Sequence, residues 1–266
     1  MSMQLTYIDK HGTPIEKARL TYLLNGTPPS INVVAELFSG QCEDGGWSAK
    51  WSHKNSSLDA TCFRLAQAEQ LGLTSESKPI QAALRFLVRR QSLDGSWDEE
   101  SALAQWTPSY LKPGKIESRL YLAANCGFWV AYFSGRDNSV PRAMGFLMRY
   151  LEESGCLPST PQANWMSAGL WLRMRRYEVA QKVITACYGH MEDLPASSLA
   201  RMGVTLIIGR IRQKTPVIRK TAEKLLALRQ PGDYWESEDG TEWNCHTTVE
   251  AIRVLKFTKK LGALNN

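Results

Sequence analysis

The sequence predicts an all-α protein of paired helices, and three observations carry that reading. Apolar residues recur at helical spacing almost everywhere, while the strict alternation of a half-buried strand is scarce. Helices with one apolar face alternate with helices that are apolar nearly all round. A segment running from Gln to Trp closes several of the one-faced helices and repeats along the chain.

The elements follow in order. Residues 1–40 supply two leading helices, Ile15–Leu24 and Ile31–Phe38. A nearly all-apolar helix covers Leu58–Leu71. Ile80, Leu84, Leu87 and Val88 share one face of the next, with Ser77 as its cap and Pro79 in its first turn. Ser118–Phe133 is again apolar all round. Val140, Met144, Leu147, Met148 and Leu151 share a face opened by Pro141 and closed near Gly155. Gln162–Met174 and Ser197–Ile211 lack a polar face. Thr215-Pro216 opens another one-faced helix, with Ile218, Ala222, Leu225 and Leu226 inward, and Cys245–Leu261 ends the array. A helix without a polar face is covered on all sides. The alternation therefore describes about five to six helix pairs, stacked as an open solenoid or closed into a ring. No linker or low-complexity break divides residues 1–266, so a single domain is expected.

The repeat is specific. Gln41-Cys42-Glu43-Asp44-Gly45-Gly46-Trp47 matches Gln91-Ser92-Leu93-Asp94-Gly95-Ser96-Trp97, and Gln230-Pro231-Gly232-Asp233-Tyr234-Trp235 is a looser copy. A Gln at a helix end can bond backbone groups left unpaired there. Asp-Gly reverses the chain, glycine being free to take positive φ. Trp then folds back over the helix end. These segments resemble the QW motifs of squalene-hopene and oxidosqualene cyclases, found more loosely in protein prenyltransferase β subunits. Ser57-Leu58-Asp59-Ala60-Thr61-Cys62, running to Leu71-Gly72-Leu73, is similar to the turn, inner helix and Leu-Gly ending of that superfamily. The resemblance is tight over Gln41–Leu73 and Gln91–Trp97. It implies an α/α toroid, with inner helices around a central cavity and outer helices as a jacket. Cyclases of this kind usually have two such domains; this length has room for one.

Class II terpene cyclases protonate an alkene or epoxide with an Asp-x-Asp-Asp acid, which is absent here. Asp59, at the start of a buried helix, is the best available acid; its other reading is a helix cap. His246 heads the last buried helix, as a terminal base or as a hydrogen-bonded structural histidine. Tyr121, Trp129, Tyr132, Trp165 and Trp243 are the aromatic candidates for lining a cavity, where their faces would stabilise cations; their other reading is plain core packing. The expected function is a small terpenoid cyclase-like protein binding a long apolar, polyprenyl-type substrate. An alternative is a zinc-assisted prenyl transferase. The segment Trp243–Thr248 resembles that family's histidine ligand segment, and Ala124-Asn125-Cys126 its Asp-x-Cys segment with Ala124 in place of the acid. Cys126 and His246, with Cys245, would be the ligands. A third reading is a non-catalytic toroid that binds a lipid, peptide or protein partner.

The remaining composition narrows the partners. Net charge is +6. Basic residues gather on helices and acidic ones in the Gly/Trp loops, so solvated faces are the simplest explanation, with peripheral contact to an anionic membrane the functional one. No nucleic-acid motif, P-loop, dinucleotide fingerprint or diphosphate–magnesium motif is visible, so neither nucleic acid nor a cofactor is expected. The longest nearly apolar run, Leu120–Phe133, is too short to span a bilayer, and the first twelve residues lack the apolar core of a secretory signal. Six cysteines without a CxxC pair read as reduced thiols, giving a cytoplasmic expectation.

Overall fold

The computed structural model describes residues 6–135 and 137–262, and helices begin in it where capping chemistry allows. Helix α1 (Thr6–His11) leads into α2 (Pro14–Asn25), which opens on a full capping box between Thr13 and Glu16. Ser30 caps α3 (Ile31–Phe38). A short antiparallel pair, β1 (Trp47–Ser48) with β2 (Ser56–Ser57), precedes α4 (Leu58–Gln70). Then come α5 (Lys78–Arg89), α6 (Ile116–Phe133), α7 (Ser139–Tyr150), α8 (Pro161–Arg173), α9 (Tyr177–Gly189), α10 (Ala196–Ile208), α11 (Pro216–Ala227) and α12 (Asn244–Phe257). The protein is all-α, with helix–helix packing throughout.

Local details correct the sequence reading. Ser77 makes no capping bond at α5. Helix α7 starts two residues before Pro141, because the Asp137 carboxylate accepts from both the amide and the hydroxyl of Ser139. Helices α1 and α9 and the small β pair add to the elements that the sequence predicts. The buried stripe of α9 is Ala180, Val183, Ile184 and Cys187. Their spacing at i, i+3, i+4 and i+7 is that of an amphipathic helix.

Helices α4, α6, α8, α10 and α12 pack on one another in succession, and α2 packs against both α12 and α4. The neighbour order therefore returns to its start. Helices α3, α5, α7, α9 and α11 each lie against members of that inner set. The inner helices run the same way. First-turn residues of α4 and α8 meet through Tyr121 of α6 at one end. At the other, Arg173 at the end of α8 donates to carbonyls at the ends of α6 and α10, and Lys256 donates to Leu23 and Leu24 at the end of α2. We call these the upper and lower ends.

The repeated segments join each outer helix to the next. Gln41 Nε2 donates to the Gly45 and Pro79 carbonyls at 2.8 and 2.9 Å, and Gln91 Nε2 to those of Gly95 and Ser139 at 3.0 and 2.8 Å. Pro79 and Ser139 lie in the first turns of α5 and α7. The glutamine thus ties its loop to the following outer helix, not to its own helix end. Tryptophan makes the helix-end bond: Trp97 Nε1 donates to Leu87 O and Trp235 Nε1 to Leu225 O, at 2.7 and 2.6 Å. A fourth copy was hidden. Glu152 and Cys156 pair as the backbones of Cys42 and Gly46, or of Ser92 and Ser96, do, and buried Leu157 stands in the tryptophan place.

Candidate functional site

The upper end gathers polar groups from helix starts. Ser57 caps α4, and the Glu99 carboxylate reinforces that cap, accepting from the Ser57 hydroxyl at 2.8 Å and from the Leu58 and Asp59 amides at 3.2 Å. Glu99 is buried, and burial pushes its carboxyl up to about 7 although all three donors favour the anion. With the cap supplied by Ser57 and Glu99, the Asp59 side chain is free for another role.

Asp59 is half-buried and turned toward α6. Its Oδ1 accepts from Tyr121 Oη at 2.5 Å and Asn125 Nδ2 at 3.3 Å, while Oδ2 has only a long 3.4 Å contact from the exposed Tyr110 hydroxyl. Burial raises the Asp59 carboxyl above its ordinary value, against the pull of the Tyr121 hydrogen bond, Arg201 and its other donors. Gln162, in the first turn of α8, reaches Tyr121 Oη at 3.4 Å. Arg201 of α10 pairs with Asp239 at 2.8 Å, and Ser197 and Ser198 bond Glu238.

Aromatic rings flank the carboxylate. Tyr110 and Tyr121 meet edge to face at 5.7 Å. One turn beyond Asp59 on α4, Phe63 meets Trp243 edge to face at 5.5 Å, and both touch the His246 ring. Phe63 and Trp243 are half-buried. Among the aromatic candidates, Tyr121 and Trp243 thus lie near Asp59. Trp129 is buried among Phe128, Tyr132 and Phe133, one to two turns further along α6. Trp165 is buried on α8, one turn after Gln162, with Nε1 unpartnered. Tyr132 lies at the lower end under the Arg173 guanidinium, 4.4 Å from its ring centre.

His246 belongs to a closed hydrogen-bonded cycle. Fully buried Arg19 of α2 donates through Nε to Gln70 Oε1 at 2.7 Å, again through Nη2, and through Nη1 to His246 Nδ1 at 2.9 Å. Gln70 Nε2 and His246 Nε2 both reach Glu250 Oε1 at 3.3 Å. An arginine only donates, so Nδ1 is the bare nitrogen and Nε2 carries the proton facing Glu250. Burial lowers the His246 pKa, keeping the ring neutral. Burial pushes the Glu250 carboxyl up, but the hydrogen bond from the neutral His246 ring and the Arg201 and Arg19 guanidiniums hold it low, so it stays ionised. A terminal base needs a free nitrogen, and His246 has none. Its place is structural, in a clasp joining α2, α4 and α12 where the inner set closes.

The zinc donors do not assemble. Cys126 Sγ lies 3.7 Å from Cys62 Sγ, His246 is spent in the clasp, and no group of three His, Cys, Asp or Glu suited to a metal occurs among the described residues. The sequence reading missed Glu99, Tyr110, Asn125, Arg201 and the clasp partners. Only Glu250, four residues after His246, carried a local signal. No helix among the described residues is long and apolar enough to cross a membrane. The chain matches no protein-family model, and no curated protein matches it.

Proposed function

We propose that the closed neighbour order is an α/α toroid, and that the protein is a small terpenoid cyclase-like catalyst in which Asp59 is the acid. One observation carries the reading: Asp59 is hydrogen-bonded asymmetrically beside two aromatic pairs. Tyr121 and Asn125 occupy Oδ1, so the transferable proton sits on Oδ2, on the side of the exposed Tyr110 hydroxyl. Protonation of an alkene breaks the π bond, forms a C–H bond and leaves a tertiary cation. Tyr121, Phe63 and Trp243 offer their faces to that cation without quenching it. The carboxylate left behind keeps the donors that stabilise it, and it is the nearest base to receive the proton lost at the end, which regenerates the acid. The apolar substrate enters at the upper end; Trp129, Trp165 and the clasp limit its depth.

Asp59→Asn keeps the shape and removes the acid. It should lower turnover of a linear polyprene such as squalene by about 10²–10⁴-fold with the melting temperature unchanged. Wild-type turnover in that variant would refute the assignment. A second reading is a non-catalytic ring that holds a lipid, peptide or protein partner. The burial of Trp129 and Trp165 and the polar clasp favour it, because side chains already packed leave less room for a long apolar chain. Native mass spectrometry joined to the Asp59→Asn assay separates the two: a co-purifying apolar molecule that wild type converts and Asp59→Asn does not supports the cyclase-like site, and a bound polypeptide or an unconverted lipid supports the scaffold.

A further inference from the structure

The lower end holds a second space that the acid site does not use. A cavity of about 440 Å³ opens between the ends of α2, α4, α6 and α12. Its wall includes Arg253, Tyr22, Tyr132 and Thr74, with Arg19 and Gln70 of the clasp behind. The chemistry of that wall is unbalanced toward donors. Both Glu69 oxygens are spent on Arg253, at 2.6 and 2.7 Å, which leaves Arg253 with Nε–H and two further N–H groups uncommitted. The hydroxyls of Tyr22 and Tyr132 make no hydrogen bond among the described residues, and neither is sealed from solvent. Charge is unbalanced in the same sense, since Arg19, Arg173 and Arg253 stand against Glu69 and Glu250. The nearby ends of α8, α10 and α12 add Arg175, Arg210, Lys256 and Lys259, which offset the negative helix ends that converge here, so Arg253 is not left facing uncompensated carbonyl dipoles.

We propose that this cavity binds a small phosphate-bearing ligand, held by Arg253 and the hydroxyls of Tyr22, Tyr132 and Thr74. Donors arriving from α2, α6, α12 and the loop after α4 surround the space. A planar carboxylate has two oxygens for one such fork, whereas a phosphate has acceptors for several directions. The site stands independently of the Asp59 reading.

Calorimetric titration of the full chain with inorganic phosphate and with glycerol phosphate, at constant ionic strength, tests it. Saturable one-site binding is expected, weakened about tenfold in Tyr22→Phe and in Tyr132→Phe, which leave the ion pairs and the fold intact. Arg253→Gln should weaken it further, but that variant strands Glu69, so the tyrosine variants decide. Flotation with vesicles containing phosphatidic acid distinguishes a lipid headgroup from a free ester: binding lost in the same tyrosine variants assigns the headgroup. No saturable binding to either phosphate probe or to the vesicles, or binding equal in wild type and both tyrosine variants, overturns the proposal.

Discussion

At the residue scale, two buried titrating groups give the protein opposite pH responses. Glu99 has its folded pKa raised to about 7. Its contribution to stability is therefore full below its unfolded value of about 4.3 and is lost as pH rises through 7. His246 has its folded pKa lowered, so its contribution is full above about 6.5 and is lost as pH falls through the folded value. Urea melts across pH 4.5–7 should show wild type losing up to about 3 kcal/mol relative to Glu99→Gln as pH rises. A constant difference would place the Glu99 carboxyl in its ordinary range. Nitrogen NMR should find His246 neutral at pH 7 with the proton on Nε2; a proton on Nδ1 would contradict its bond from Arg19. Asp59 was legible in the sequence as an acid at a helix start. Its freedom from capping was not, because that depends on Glu99, forty residues away in sequence from the amide of Asp59 it accepts from.

At the scale of elements, the Gln–Gly–Trp segments were legible because their chemistry leaves few alternatives. Gly95 has φ +94°, and a Cβ there would lie 2.2 Å from the Arg142 carbonyl oxygen of α7. Gly45 meets Ala82 of α5 and Gly155 meets Lys182 of α9 in the same manner. The glycine is thus where each loop touches the next outer helix. The fourth copy was illegible, since Leu157 fills the tryptophan place by shape alone. In the third copy the glutamine is displaced by one residue. The Gln230–Tyr234 backbone pair puts Arg229, ion-paired with Asp233, in the place of Gln91, and Gln230 Nε2 reaches only Leu228 O, at 3.3 Å. Gln91→Ala should therefore cost about 1–2 kcal/mol and lower the melting temperature by several degrees, while Gln230→Ala should cost under about 0.5 kcal/mol. Equal losses in the two variants would show that the tie to the next helix carries no stability.

At the scale of the whole molecule, the inner helices point the same way, so their dipoles add. The charge pattern answers them. Acids such as Asp98, Glu99, Glu236, Glu238 and Asp239 lie in the loops that lead into inner helices, and bases such as Arg173, Arg210, Arg253 and Lys256 lie where they end. The uneven charge seen in the sequence thereby acquires a direction. The contact of α2 with α12 was beyond the sequence, because Arg19 and His246 are 227 residues apart and nothing local to either points to the other. Removing one member leaves a buried charge without its partner, so Arg19→Met should cost about 3–5 kcal/mol. A cycle pairing Arg19→Met with Glu250→Leu should show coupling of about 2 kcal/mol; strictly additive losses would mean that the clasp does not act as a unit.

Solvent deuterium directly reads the proposed proton transfer from Asp59 to an apolar substrate. Squalene incubated with the protein in deuterium oxide should yield a cyclised product carrying one solvent-derived deuterium, and Asp59→Asn should yield none. A product formed without solvent deuterium, or equal labelling in wild type and Asp59→Asn, would contradict the account.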